Sequence, residues 1–319
     1  MKYPTITLPE LLEATAAKSA DADFLIYFGA RISYGQALAH VKRLAAGLQA
    51  RGLEKGDRVA LLMPNCPQFV ISYFGAMRAG AIVTATSSMY TARELAHQWN
   101  DAGVKIIIAD RKLYPVIKAA LPHLASVRHI ILTGMRQYYP RHFQELCKTL
   151  DSMPRAGSKS GTKRDSANAG TTQGPALYEW EELLRVSTKP RPSGLRPSDV
   201  ACLQYTGGTT GTSKGAMLTH ANLVINAAQA SRWLTVGRDG KDVLVAALPL
   251  FHIYAMTCVM ITSVFTGGSF VILPRFELKA ALNVVRKYHP TIFHGVPTMY
   301  VAFNGAPNVE RYGFHSLRV

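Results

Sequence analysis

The stretch Gln204–His220, QYTGGTTGTSKGAMLTH, decides how this chain is read. Thr206, Gly207, Gly208, Thr209, Thr210, Gly211, Thr212 and Ser213 follow one another and close on Lys214-Gly215. Glycine has no Cβ, so backbone N–H groups can turn toward one concavity and approach a ligand closely. The threonine hydroxyls add donors and Lys214 adds a positive charge, a combination suited to polyphosphate. The Walker A pattern does not fit. It needs Gly-Lys-[Ser/Thr] after four spacers, and counting from Gly208 the chain offers Ser213-Lys214-Gly215. The flanks differ as well: a P-loop runs from a strand straight into a helix, whereas Ala216-Met217-Leu218 predicts a second short strand. Thr219 then caps a helix beginning near Ala221. The bland alternative, a Gly/Thr-rich surface turn, does not require so many specified positions at once.

Moving toward the amino terminus, Asp199–Tyr205 reads as the strand that delivers this loop, and Leu177–Leu184 as a short helix before it. The segment 152–175, SMPRAGSKSGTKRDSANAGTTQGP, is Gly/Ser/Thr-rich, net basic and nearly devoid of large apolar residues. Burial there cannot offset the entropy of ordering, so the expectation is a disordered basic insertion. The first 151 residues alternate helical and strand patterns. Thr7-Leu-Pro-Glu10, Ser33-Tyr-Gly-Gln36 and Thr91-Ala-Arg-Glu94 each match a capping box at a helix start. Leu38, Val41, Leu44, Ala45 and Leu48 recur at spacings of three and four, as on one face of a helix. Arg58–Met63, Ala81–Thr84, Val104–Ala109 and Val127–Leu132 are short apolar runs suited to buried strands. Such alternation predicts an α/β fold, with β-α-β subdomains and mostly parallel sheets flanked by helices.

Composition bounds the function. Lys and Arg exceed Asp and Glu by 16, but the positive residues are dispersed, which argues against nucleic acid and fits an enzyme of anionic small molecules. Cys66, Cys147, Cys202 and Cys258 lie far apart without metal-ligand spacing, and the expectation is reduced thiols in a cytoplasmic protein. The amino terminus lacks the apolar core of a signal peptide. Val243–Leu273 is long and apolar enough to imitate a membrane span, yet Pro249, His252 and Gly267-Gly268 interrupt it. A strand, a turn, a core helix and a second strand explain it better, with peripheral contact to an anionic membrane left open.

The phosphate-loop stretch resembles the signature Y-T-S-G-T-T-G-x-P-K-G of the adenylate-forming superfamily, which includes acyl-CoA synthetases, luciferases and peptide-synthetase adenylation domains. Gly207 stands where Ser is usual and Ser213 where Pro is usual, a variant similar to bacterial long-chain fatty-acid–CoA ligases. R-G-L-x-K-G-D-R-V-A at 51–60, Asn65, R-A-G-A at 78–81 and Glu94-Leu95 fall in the family's order. The resemblance implies the large amino-terminal domain of that fold: a first α/β subdomain over 1–151, the insertion at 152–175, and the phosphate-loop and acyl-pocket part over 176–319. It implies ATP-dependent activation of a fatty carboxylate to an acyl-adenylate, with Mg²⁺ as cofactor and CoA as co-substrate.

By the same resemblance, Thr206 would join the magnesium shell. Gly207, Gly208, Thr209, Thr210, Gly211, Thr212 and Gly215 would wrap the phosphates, and Lys214 would neutralise pyrophosphate. Leu248-Pro249-Leu250-Phe251-His252 matches the family's P-L-[FY]-H turn, placing Phe251 and the catalytic candidate His252 beside the acyl-adenylate. Met256 and Tyr254 fall where long-chain ligases gate the acyl tunnel. Gly295-Val296-Pro297-Thr298 resembles one wall of the acyl pocket, and His294 reads as structural. The G-Y-G-x-T-E stretch, the ribose-binding acid and the small carboxy-terminal domain of the family do not occur in residues 1–319. The expectation is therefore an incomplete ligase, inactive alone. An aryl or medium-chain acid, or a non-catalytic nucleotide- or lipid-binding remnant, are the alternatives.

Overall fold

The computed structural model describes residues 3–145, 174–186, 189–206, 213–234 and 241–319. The phosphate-loop residues Gly207–Thr212, Cys147 and the part of the expected insertion from 152 to 173 lie outside them.

The capping boxes read from the sequence all form. Thr7 opens α1 (Leu8–Lys18), Ser33 opens α2 (Tyr34–Ala50), and each cap side chain accepts from the backbone N–H three residues on, while Glu10 or Gln36 reaches back. The chain enters through β1 (Asp23–Tyr27) and β2 (Ala30–Ser33), then runs from α2 into β3 (Arg58–Leu62), α3 (Pro67–Ala79) and β4 (Ile82–Thr86). Thr91 caps α4 (Ala92–Ala102), which leads through β5 (Val104–Asp110) and α5 (Tyr114–Ala120) to β6 (His129–Thr133).

One element differs from the sequence reading. Leu177–Glu179 belongs to a strand, β7 (Ala176–Glu179), parallel to β6, and only Trp180–Leu184 (α6) is helical. β7 is the edge of the sheet, with Ala176 and Leu177 exposed, so its local pattern carries little period-two signal. The quoted stretch becomes β8 (Val200–Thr206), β9 (Lys214–Thr219) and α7 (His220–Trp233), the strand, loop, strand and helix expected of it. Val243–Leu273 resolves into β10 (Val243–Ala246), a turn, a helix α8 and β11 (Ser269–Ile272). Helix α8 is built from Ile253–Ala255, a π-helical Met256–Ile261 and Thr262–Thr266. Among the described residues no helix is long and apolar enough to cross a membrane. The chain continues through α9 (Leu278–Tyr288), β12 (Ile292–Phe293) and α10 (Pro297–Asn304).

Two sheets result. One has the order β12-β10-β11-β1-β2 and the other β7-β6-β5-β3-β4-β8-β9, so both draw strands from either side of the 152–175 segment. Most pairs are parallel; β1–β2 and β8–β9 are antiparallel. Val59 and Leu61 of β3 face a central core with α1, α2, α3, α7 and α8, shared with Phe24, Leu244 and Phe270 of the other sheet. Ala60 and Leu62 face a second cluster under α4 and α5. Val245 and Val271 back a third under α9 and α10. Each central strand is thus covered on both faces, which is why these runs are apolar without alternation.

Candidate active site

The loop is anchored by its hairpin. Thr206 pairs with Lys214 and Tyr205 with Gly215 across β8 and β9. A Cβ on Gly215 would lie 2.9 Å from the Tyr205 ring, so the ring lies across β9 only because this position has no side chain. Ser213 Oγ donates to the Thr206 carbonyl at 2.9 Å, closing the loop's base. Lys214 is exposed and has no acidic partner among the described residues. Tyr205 donates to the Asp101 carboxylate; burial first, then that carboxylate, hold the phenol well above its ordinary pKa. Thr219 closes the motif with a capping box to Asn222 at the start of α7.

The turn after β10 is held by two buried amides that the sequence reading did not assign to the site. Asn65 Nδ2 donates to the carbonyls of Ala246 at 3.2 Å and Leu248 at 2.9 Å, and its Oδ1 accepts from Leu250 N–H at 2.7 Å. Gln204 Nε2 donates to the Phe251 carbonyl at 3.1 Å, tying the strand that carries the loop to the turn that carries His252. The only sequence signals were the position of Gln204 at the head of the quoted stretch and of Asn65 in a Pro-rich turn. His252 caps α8, its Nδ1 accepting from Tyr254 N–H at 3.3 Å. A neutral ring in that arrangement carries its proton on Nε2.

These pieces meet. Ser87, Gln98, Gln204, Thr206, Phe251 and His252 line a cleft of about 280 Å³, with Tyr205 and Met89 at its border. It opens where β4 and β8 of one sheet and β10 of the other reach their carboxyl ends, the usual place for a ligand in an open parallel sheet. Met256 does not line this cleft. It is fully buried, its sulfur accepting from Tyr73 Oη at 3.0 Å. Gly295, Val296, Pro297 and Thr298 do not line it either; they turn the chain from β12 into α10, with Pro297 in the first turn. Gly295 N–H is bonded to Tyr300 Oη at 3.0 Å. The two turns are linked indirectly. β10 and β12 are parallel neighbours, and Tyr254 Oη lies 3.1 Å from Nδ1 of buried His294, whose pKa burial lowers.

The donor set suits an anion with its own cation. Among the described residues no group of three His, Cys, Asp or Glu is placed to hold a metal ion. Mg²⁺ commonly binds through substrate phosphates and one or two protein oxygens, an arrangement this cleft allows.

The AMP-binding enzyme family model matches residues 12–319. The chain belongs to that family. It is 35% identical over 319 residues to the long-chain-fatty-acid–CoA ligase of Bacillus subtilis (strain 168), an alignment covering 100% of this chain and 55% of that protein. It is 30% identical to 4-coumarate–CoA ligase 4 of Arabidopsis thaliana, covering 91% of this chain and 46% of the relative. Among solved structures, a long-chain-fatty-acid-CoA ligase from Archaeoglobus fulgidus superposes with a TM-score of 0.75 at 22% identity, covering 96% of this chain and 55% of that one. That likeness shows the fold, an α/β arrangement of mostly parallel sheets flanked by helices. The chain spans about half the length of the curated relatives it matches.

Proposed function

We propose that this chain is the nucleotide- and acid-binding part of an AMP-forming acid–CoA ligase acting on a long-chain fatty carboxylate. The observation that carries the reading is the single cleft shared by Thr206, at the base of the phosphate loop, and His252. ATP supplies the leaving group: a carboxylate oxygen attacks the α-phosphorus, pyrophosphate departs, and the thiol of CoA later displaces AMP from the acyl-adenylate.

The chain's own residues hold and orient. Lys214, paired with Thr206 across the base of the hairpin, places a charge beside the β- and γ-phosphates as charge moves onto pyrophosphate. Thr206 would offer its hydroxyl to a Mg²⁺ ion accompanying the phosphates, which would balance their charge. His252, with its proton on Nε2, donates to the carboxylate, while Asn65 and Gln204 fix the turn that carries it. Gly207–Thr212 supply the remaining phosphate contacts in this reading.

One observation favours a shorter acid. Met256 fills the interior behind the His252 turn, against Tyr73. The relatives include a 4-coumarate–CoA ligase, so an aryl or medium-chain carboxylate is the second reading. The test is pyrophosphate release by the full-length ligase over a series of fatty and aryl acids, with and without Lys214→Ala. A fall in adenylation on the order of a hundredfold supports the loop's role, and an unchanged rate disproves it. Turnover confined to aryl acids would move the second reading to first place.

A further inference from the structure

Away from the residues that line the cleft, four cations from α2, α3 and the segment before β8 line one groove, and no acid lines it with them. Lys42 and Arg43 stand one turn beyond Ala39 on α2, at the spacing that puts residues on one helical face. Arg78 comes from the last turn of α3, and Lys189 from the segment leading to β8. With Val186 and Pro190 they line a cavity of about 630 Å³, larger than the cleft at Thr206. Arg78 is committed to Glu13, its Nε donating to the carboxylate at 2.9 Å. Lys42, Arg43 and Lys189 have no ion-pair partner among the described residues. His40, one turn before Arg43, is held below its ordinary pKa by burial first and then by the Arg43 charge.

Like charges gathered around a concavity repel one another, and a bound anion relieves that repulsion more effectively than water does. We propose that this groove binds a phosphate-bearing anion, gripped by Lys42, Arg43 and Lys189, with Val186 and Pro190 packing against its carbon portion. The volume exceeds what a bare phosphate fills, so the ligand class is an organic phosphate, either a soluble phosphorylated molecule or the headgroup of an anionic phospholipid. None of these residues lines the catalytic cleft, and the proposal is independent of the activity assigned to it.

The test compares the 319-residue chain with the variant Lys42→Gln/Arg43→Gln/Lys189→Gln. Arg78 is kept because it also joins α1 to α3 through Glu13. Two probes separate the sources: glycerol 3-phosphate in isothermal titration, and flotation with phosphatidylglycerol against phosphatidylcholine vesicles. Lys214→Ala serves as a control for binding at the phosphate loop. Three lost cations should weaken binding at least about tenfold, with a steep dependence on salt, while Lys214→Ala leaves it intact. Loss of both probes assigns a site for the soluble and the lipid form alike; loss of vesicle binding alone assigns the headgroup. Equal binding by the triple variant and the native chain, or no binding of either probe by the native chain, overturns the proposal. All three substituted side chains are at least partly solvent-exposed, so an unchanged melting midpoint should confirm the fold of the variant.

Discussion

Asn65 shows how much one buried side chain decides. A single amide satisfies two carbonyls and one N–H of the turn leading to Phe251-His252, 181 to 185 residues away in sequence. Asn65→Ala leaves the Leu248 carbonyl and the Leu250 N–H without this partner where Asn65 is only 3% exposed, while the Ala246 carbonyl keeps the Leu273 N–H at 3.2 Å. Unsatisfied buried groups cost about 1–3 kcal/mol each before relaxation and water entry. The expected loss is roughly 2–4 kcal/mol in a urea titration, with kcat for the proposed adenylation falling more than KM changes. A variant as stable and active as the parent would remove Asn65 from the site's support. Gln204→Ala should act in the same direction and more weakly, since it gives up one bond, to the Phe251 carbonyl.

At the scale of elements, helix α2 packs against α6 at close range. An added Cβ on Gly47 would lie 2.8 Å from the Leu183 carbonyl and 2.9 Å from its Cβ, so α2 and α6 touch only because this position is bare. Gly47→Ala should destabilise by about 1–3 kcal/mol, as overpacking does. Gly134→Ala, where no atom lies within 4 Å and φ is not positive, is the matched control and should change little. Denaturant midpoints of the two variants decide it; equal midpoints would mean α6 yields freely. Capping chemistry was readable because it is local: Thr7, Ser33, Thr91 and Thr219 each act on residues three positions away. β7 was not readable, because Leu177, Trp180 and Leu184 also fit a helical spacing, and what makes Leu177 a strand residue is the free edge of β6. The same limit applied to the site. Thr206 and His252 announce themselves through Gly, Thr and Pro neighbours, whereas the bonds of Asn65 and Gln204 are invisible until two sheets come together. Met256 could be placed by motif near a tunnel, but its partner Tyr73 sits on another helix.

For the molecule as a whole, the central layer between the two sheets makes folding sensitive to acid. His220 begins α7 inside that layer, fully buried, with Nδ1 accepting from Leu8 N–H of α1 at 3.3 Å and Nε2 without a partner. Burial dominates its titration and brings its pKa from 6.5 down to about 4; Asp199 and Glu10 oppose the shift and Lys55 adds to it. The folded pKa lies below the unfolded one, so between these values the unfolded chain binds the proton and the folded chain does not. Stability is therefore flat above pH 6.5 from this group and falls as pH drops toward 4, by about 3 kcal/mol in total. His40, His129 and His294 are lowered by burial too and steepen the same slope, whereas Asp110, raised by burial, opposes it. Replacing His220 by Gln removes the titration and should flatten the profile by its share, at the cost of some packing at neutral pH. Urea midpoints of both proteins from pH 4.5 to 7.5 measure the difference. If the two curves run parallel, His220 is already solvated in the folded state and the α1–α7 contact is looser than its burial implies. If they converge at low pH, the buried imidazole of His220 carries its share of the acid sensitivity.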